Sequence, residues 1–146
     1  MKTISKNKKA YFDYNILDEY ICGIVLLGSE TKPIKNNKSS IKESYCFIKK
    51  NEIFINGMHI PNDRNNIYPH DVIRDKKLLL NKKEIKQIRT QIEEKGLTLI
   101  PLSINLVGSL VKIKIGVCRG KKNYDKRNAI KEKDIKRDIK REIKNN

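Results

Sequence analysis

The chain has no tryptophan, and its 146 residues include only seven glycines, four prolines, three cysteines and two histidines. Cys22, Cys46 and Cys118 are odd in number, far apart and without a Cys-x-x-Cys pair. That excludes a disulfide framework and a thiolate zinc site, and predicts buried free thiols in a reducing compartment. Neither His59 nor His70 has a serine or cysteine beside it in sequence. Nucleophilic catalysis needs a base and an orienting partner in reach, so the sequence predicts no catalytic residues, no metal and no cofactor. Gly120-Lys121-Lys122 lacks the spacing of a phosphate-binding loop. The longest apolar run, Ile21 to Leu27, is too short to span a bilayer, and Met1 to Lys9 has no apolar leader region. A soluble cytoplasmic protein with no membrane role is expected.

Acidic residues are also scarce, at 17 against 33 lysines and arginines, for a net charge of +16. A bias that large points to a polyanionic partner, nucleic acid first. Hydrophobic residues make up 38% of the chain, enough for one modest core. The organising stretch is Gly120-Lys121-Lys122-Asn123-Tyr124-Asp125-Lys126-Arg127. Before it, apolar residues come in strand-like runs. After it the chain is nearly all charge, with Ile130, Ile135, Ile139 and Ile143 spaced along it. Three segments follow: a mobile basic N-terminus over 1–9, a folded body over 10–119, and a basic tail over 120–146. The tail's apolar stripe is one isoleucine wide, which predicts disorder alone and a helix once docked.

Within the body, Tyr11 to Leu17 brings apolar mass as a short helical turn. Tyr20 to Leu27 reads as a strand that continues, bent, until Pro33 interrupts it. Ser44–Lys49 and Glu52–Asn56 alternate as a hairpin about Lys50-Asn51, with Gly57 as a bulge before Met58-His59-Ile60. Asn81 to Lys95 is the main helix. Asn81 and Glu84 form a capping box, Ile85, Ile88 and Ile92 share a face, and Gly96 stops it. Leu97–Leu106 and Leu110–Cys118 are the last strands, with Val111, Ile113 and Ile115 on one face and Lys112 and Lys114 on the other. Three strands, a helix and two strands is the order of an OB-type antiparallel β-barrel. An open antiparallel sheet covered by the helix is the alternative.

Three stretches favour RNA. Arg74, Lys76, Lys77, Lys82 and Lys83 flank Leu78-Leu79-Leu80-Asn81 where the main helix begins. Asn7-Lys8-Lys9-Ala10 precedes aromatic residues, so bases could stack while ammonium groups hold phosphate. The third is the 120–127 stretch, with Tyr124 between Lys122 and Lys126.

In this order, with Asp13-Tyr14, Gly23-Ile24, Gly28-x-Glu30-x-Lys32, Ser44-Tyr45, Met58-His59-Ile60 and Lys95-Gly96-Leu97-Thr98, these blocks resemble the SmpB family, the SsrA-binding proteins of bacterial trans-translation. The resemblance runs along nearly the whole chain. It implies an RNA-binding adaptor, not an enzyme, which binds the tRNA-like domain of transfer-messenger RNA and brings it to stalled ribosomes. By position, it implies RNA contacts at Asn7, Leu79 and Asn81, with Lys77 on the phosphates; the basic stretches themselves add Lys8, Lys9, Arg74 and Lys76 as RNA-binding residues. It implies action in the decoding site and empty message channel for Gly120, Lys121, Lys122, Tyr124, Asp125, Lys126 and Arg127. Its partners would be transfer-messenger RNA, small-subunit ribosomal RNA and, through the RNA, the GTPase that delivers tRNA; the protein itself would be a monomer. The chain departs from the family at Ile21, where members often carry an RNA-contacting glutamate, and at Asn105-Leu106, in place of an aromatic pair. A generic OB-type RNA-binding or ribosome-associated basic protein is the second reading.

Overall fold

The computed structural model describes residues 1–62, 64 and 68–121. These form seven strands and three helices: β1 (Lys2–Lys6), α1 (Lys8–Asp13), β2 (Tyr14–Ile24), α2 (Gly28–Lys35), β3 (Tyr45–Lys49), β4 (Glu52–Asn56), β5 (Lys76–Leu79), α3 (Lys82–Lys95), β6 (Thr98–Val107) and β7 (Leu110–Gly120). All pairings are antiparallel, in the order β1-β6-β7-β2-β5-β4-β3. The sheet curls until β3 lies against β6, without a ladder between them. The mainly β, OB-like class holds, but the barrel is left open and has two more strands than the five expected.

Turn chemistry sets the register. Lys50 and Asn51 both take positive φ, 50° and 61°, as a two-residue hairpin turn of matching twist requires. Asn81 Oδ1 accepts from the Glu84 amide at 2.8 Å, and Glu84 Oε1 accepts from the Asn81 amide at 3.2 Å. This is the reciprocal box that starts α3. Gly96 ends the helix at φ 61°. Ile88 is wholly buried, with Ile85 and Ile92 packed beside it on the core.

The main core lies inside the curl and includes Ile34, Ile53, Ile55, Met58, Leu78, Ile104, Ile113 and Ile115. A smaller cluster of Ala10, Ile100, Leu102 and Cys118 sits under α1. Gly116 makes room for it, since a Cβ there would stand 2.8 Å from Leu102 Cδ1.

Several expectations are corrected. Lys2–Lys6 is not mobile but an edge strand on β6, with Thr3 Oγ1 donating to Asn105 Oδ1 at 2.9 Å. β2 begins at Tyr14 and ends at Ile24; Gly28 to Thr31, read as its bent continuation, belongs instead to α2 (Gly28–Lys35), with Pro33 inside. The buried Glu30 carboxylate takes the Leu27 amide at 2.7 Å and starts that helix. β4 stops at Asn56. Gly57 takes φ 81°, and His59 keeps only a bridge to Ser40. Lys76–Leu79, read as the approach to a helix, is a strand between β2 and β4.

Candidate nucleic-acid interface

Strand β5 divides the residues that the sequence grouped there. Alternation sends Lys76 and Leu78 inward and Lys77 and Leu79 outward. Lys76 is fully buried. Its Nζ donates to the carbonyls of Arg74 at 2.7 Å and Met58 at 3.2 Å and lies 3.9 Å from Glu30 Oε2. Burial lowers its pKa, and the Glu30 charge opposes that shift. Arg74 Nη2 pairs with Glu30 Oε1 at 2.6 Å. Of the two, both expected at the RNA, Lys76 is fully buried, while Arg74 pairs with the buried Glu30 carboxylate and keeps its side chain 27% exposed. Together they tie α2 to the approach of β5. Glu30 was visible only as part of a motif, because its cationic partners lie 44 residues or more away.

The outward set is different. Leu79 is 51% exposed and lies beside Gly23, where a Cβ would come within 3.3 Å of the Leu79 Cβ. Glycine therefore lets the leucine lie flat on the sheet. Lys77 reaches Glu52 at 3.0 Å with its side chain 41% exposed. Asn81 spends Oδ1 on its cap, which leaves its amide NH2 free to donate to a ligand. Lys112 stands opposite Gly23 on β7, and Ile21, also exposed, stands opposite Lys114. Lys112 was missed as a site residue, although its alternation with buried Val111 and Ile113 marked it as outward.

Asn7 is buried, and both ends of its side chain are used. Oδ1 caps α1 through the Ala10 amide at 3.2 Å, and Nδ2 donates to the Pro101 carbonyl at 3.0 Å. Asn7, expected at the RNA, is placed with both ends of its side chain bonded inside the protein. Lys8 and Lys9 remain exposed on the same helix. The root of the tail meets that helix. The Lys121 amide donates to the Asp13 carbonyl at 2.8 Å, and Lys121 Nζ to the Tyr11 carbonyl at 3.3 Å, while Gly120 pairs with Tyr14. A cation at the carbonyl end of a helix is electrostatically favoured. Lys122, Tyr124, Asp125, Lys126 and Arg127 lie outside the described residues.

The structure brings a serine to His70, which sequence adjacency did not show. Ser29 Oγ lies 2.8 Å from His70 Nδ1, and His70 Nε2 lies 2.8 Å from the Ile60 carbonyl. A carbonyl only accepts, so Nε2 carries the proton and Ser29 donates to Nδ1. With its second nitrogen on a buried backbone carbonyl rather than a carboxylate, the ring ties His70 and Ile60 to α2. His59 is exposed and has no such partner among the described residues. Cys22, Cys46 and Cys118 are buried and unbridged. Among the described residues, no helix is long and apolar enough to cross a membrane.

A family model described as SmpB protein matches residues 4–145. The chain is similar to the SsrA-binding proteins of Treponema denticola and Lachnoclostridium phytofermentans. It is 45% and 50% identical to them over 145 residues, 99% of this chain and 94% of each relative. To that of Borreliella afzelii it is 46% identical over 140 residues, 95% of this chain and 93% of the relative. A solved structure described as "tmRNA-SmpB: a journey to the center of the bacterial ribosome" has a chain that matches it with a TM-score of 0.68. That match is 34% identical in sequence and covers 82% of this chain and 85% of the other.

Proposed function

The chain belongs to the SmpB family, and from that premise we propose that it is a cytoplasmic RNA-binding adaptor, not an enzyme. It binds the tRNA-like domain of transfer-messenger RNA and delivers it to stalled ribosomes. The single observation that carries the reading is the outward face of β5. There Lys77 and Leu79 point outward beside Gly23, with Asn81 two residues on at the start of α3 and Lys112 across the sheet. A structured RNA is recognised by shape and backbone, which calls for a rigid basic surface with little base readout. An exposed leucine over a glycine gives that surface a flat apolar contact, and lysines on both sides supply the phosphate pairing. Lys8 and Lys9 on α1 extend the basic surface.

The tail performs the second task. Gly120 anchors it on β2 and Lys121 on α1, and residues from Lys122 onward act in the decoding site and the empty message channel, against small-subunit ribosomal RNA. The GTPase that delivers tRNA joins through the RNA, and the protein acts as a monomer.

Leu79→Ser tests the body's part. The side chain is half exposed, so stability should change by less than about 0.5 kcal/mol. Affinity for the tRNA-like domain in a filter-binding assay should fall about tenfold, as expected when a packed contact at an interface centre is lost. Unchanged affinity in the folded variant would reject this face as the RNA site.

A further inference from the structure

Three aromatic side chains form a row on the outer face of the β3–β4 hairpin. Tyr45 and Phe47 alternate on β3 with Cys46 and Ile48, and Phe54 stands opposite Phe47 across the ladder. The Phe47 and Phe54 rings stack with centroids 5.5 Å apart and 20° between planes; the Tyr45 ring follows at 6.3 Å, tilted by 48°. None of the three belongs to either apolar cluster. The inward residues of the same strands, Cys46, Ile53 and Ile55, fill the core instead. Cross-strand packing accounts for Phe47 against Phe54. It does not account for Tyr45, which is half exposed and stands opposite Asn56. A cation also stands at each end of the row, each beside a carboxylate: Lys77 lies 3.0 Å from Glu52 and Lys9 4.0 Å from Glu43. Lys77 stands opposite Phe54 at one end. At the other, Tyr45 opens onto a cleft of about 310 Å³ that Lys9, Tyr14 and Glu43 also line.

We propose that Tyr45, Phe47 and Phe54 form a second RNA site, which takes two or three unpaired nucleotides by stacking their bases, with Lys9 and Lys77 on the flanking phosphates. Every base has a π face, so a row of rings bounded by ammonium groups holds a single strand with little regard for sequence. Sheet faces that present aromatics bind unpaired RNA in this manner. A protein partner is disfavoured by the cations at each end and by the net charge of +16. The site goes beyond the function proposed above: it shares Lys9 and Lys77 with the surface that holds the folded RNA domain, but takes its bases on Tyr45, Phe47 and Phe54 rather than on Leu79 and Asn81.

The test titrates the full chain with two probes. One is a single-stranded RNA dodecamer carrying 2-aminopurine, and the other is the tRNA-like domain. The dodecamer's fluorescence should be quenched on binding. Phe47→Leu/Phe54→Leu and, separately, Tyr45→Leu should each weaken dodecamer binding about tenfold and reduce the quenching. Affinity for the tRNA-like domain should stay within twofold. Tyr45→Leu changes only a half-exposed ring, so it decides the matter even if the double variant does not fold. The proposal is overturned if the dodecamer does not bind or is not quenched, or if Tyr45→Leu binds it as the parent does. It is also overturned if the tRNA-like domain is lost in parallel, because the row then belongs to the site already described. Binding of the dodecamer without the tRNA-like domain would instead overturn the function above and leave this site standing.

Discussion

A buried ammonium is tolerated at Lys76 because two carbonyls accept its protons and the Glu30 carboxylate stands 3.9 Å away. The arrangement still costs free energy, since desolvation outweighs the Glu30 attraction and lowers the lysine's pKa. A lowered pKa means that the unfolded chain binds this proton more tightly. Stability from this group therefore rises as pH climbs toward the ordinary lysine value. The buried thiols act in the other direction. Burial raises Cys22 from 9.0 to about 12 and Cys118 from 9.0 to about 11. Their stabilising effect is whole below pH 9, where folded and unfolded chains both keep the proton, and is lost as pH rises through 11 and 12. One unit is worth about 1.4 kcal/mol, so Cys22 alone accounts for on the order of 4 kcal/mol. The net expectation is a melting temperature that falls steeply above pH 9. In Cys22→Ala the fall should be shallower, followed by circular dichroism from pH 8 to 12. Equal slopes in the parent and the variant would show that this thiol is not what titrates.

At the scale of elements, α1 is six residues long and could not persist alone. It is held by Asn7 at its start, by the Ile100–Leu102–Cys118 cluster beneath it, and by Lys121 at its carbonyl end. Asn7→Ala removes a cap and leaves the Pro101 carbonyl without its side-chain donor. The expected cost is about 1–2 kcal/mol, or a melting temperature lower by several degrees. Affinity for the tRNA-like domain should stay near the parent's, because both ends of the buried side chain are bonded within the protein. A tenfold loss of that affinity with no loss of stability would restore Asn7 to the interface.

The same contrast explains what could be read from sequence. The β3–β4 hairpin and α3 were legible because their determinants are local: Lys50-Asn51 in the turn, Asn81 with Glu84 at the cap, Gly96 at the stop. β1, α2 and β5 were not, because each is decided by a distant partner. Ile4 is the only large apolar residue of β1, which exists by pairing with β6. α2 begins where Glu30 finds Arg74, and β5 is four residues held from both sides. The site followed the same rule. Leu79 and Lys77 could be named from the motif, but whether Lys76 or Asn7 faced outward depended on contacts that no spacing encodes.

For the whole molecule, charge divides unequally between body and tail. Residues 128–146 carry seven basic and four acidic side chains, a net three of the sixteen positive charges. RNA affinity set by phosphate neutralisation therefore belongs mostly to the rest of the chain. Log affinity for the tRNA-like domain should fall linearly with log salt, by about 0.7–0.9 for each phosphate neutralised. Deleting residues 128–146 should change that slope by less than one phosphate's worth and leave affinity within a few-fold, while abolishing peptide tagging in a reconstituted translation reaction. The two measurements separate gripping the RNA from acting at the ribosome. If the truncated chain loses RNA affinity as severely as tagging, the tail is part of the grip. In that case the basic face of β5 is too small a surface to do the work assigned to it.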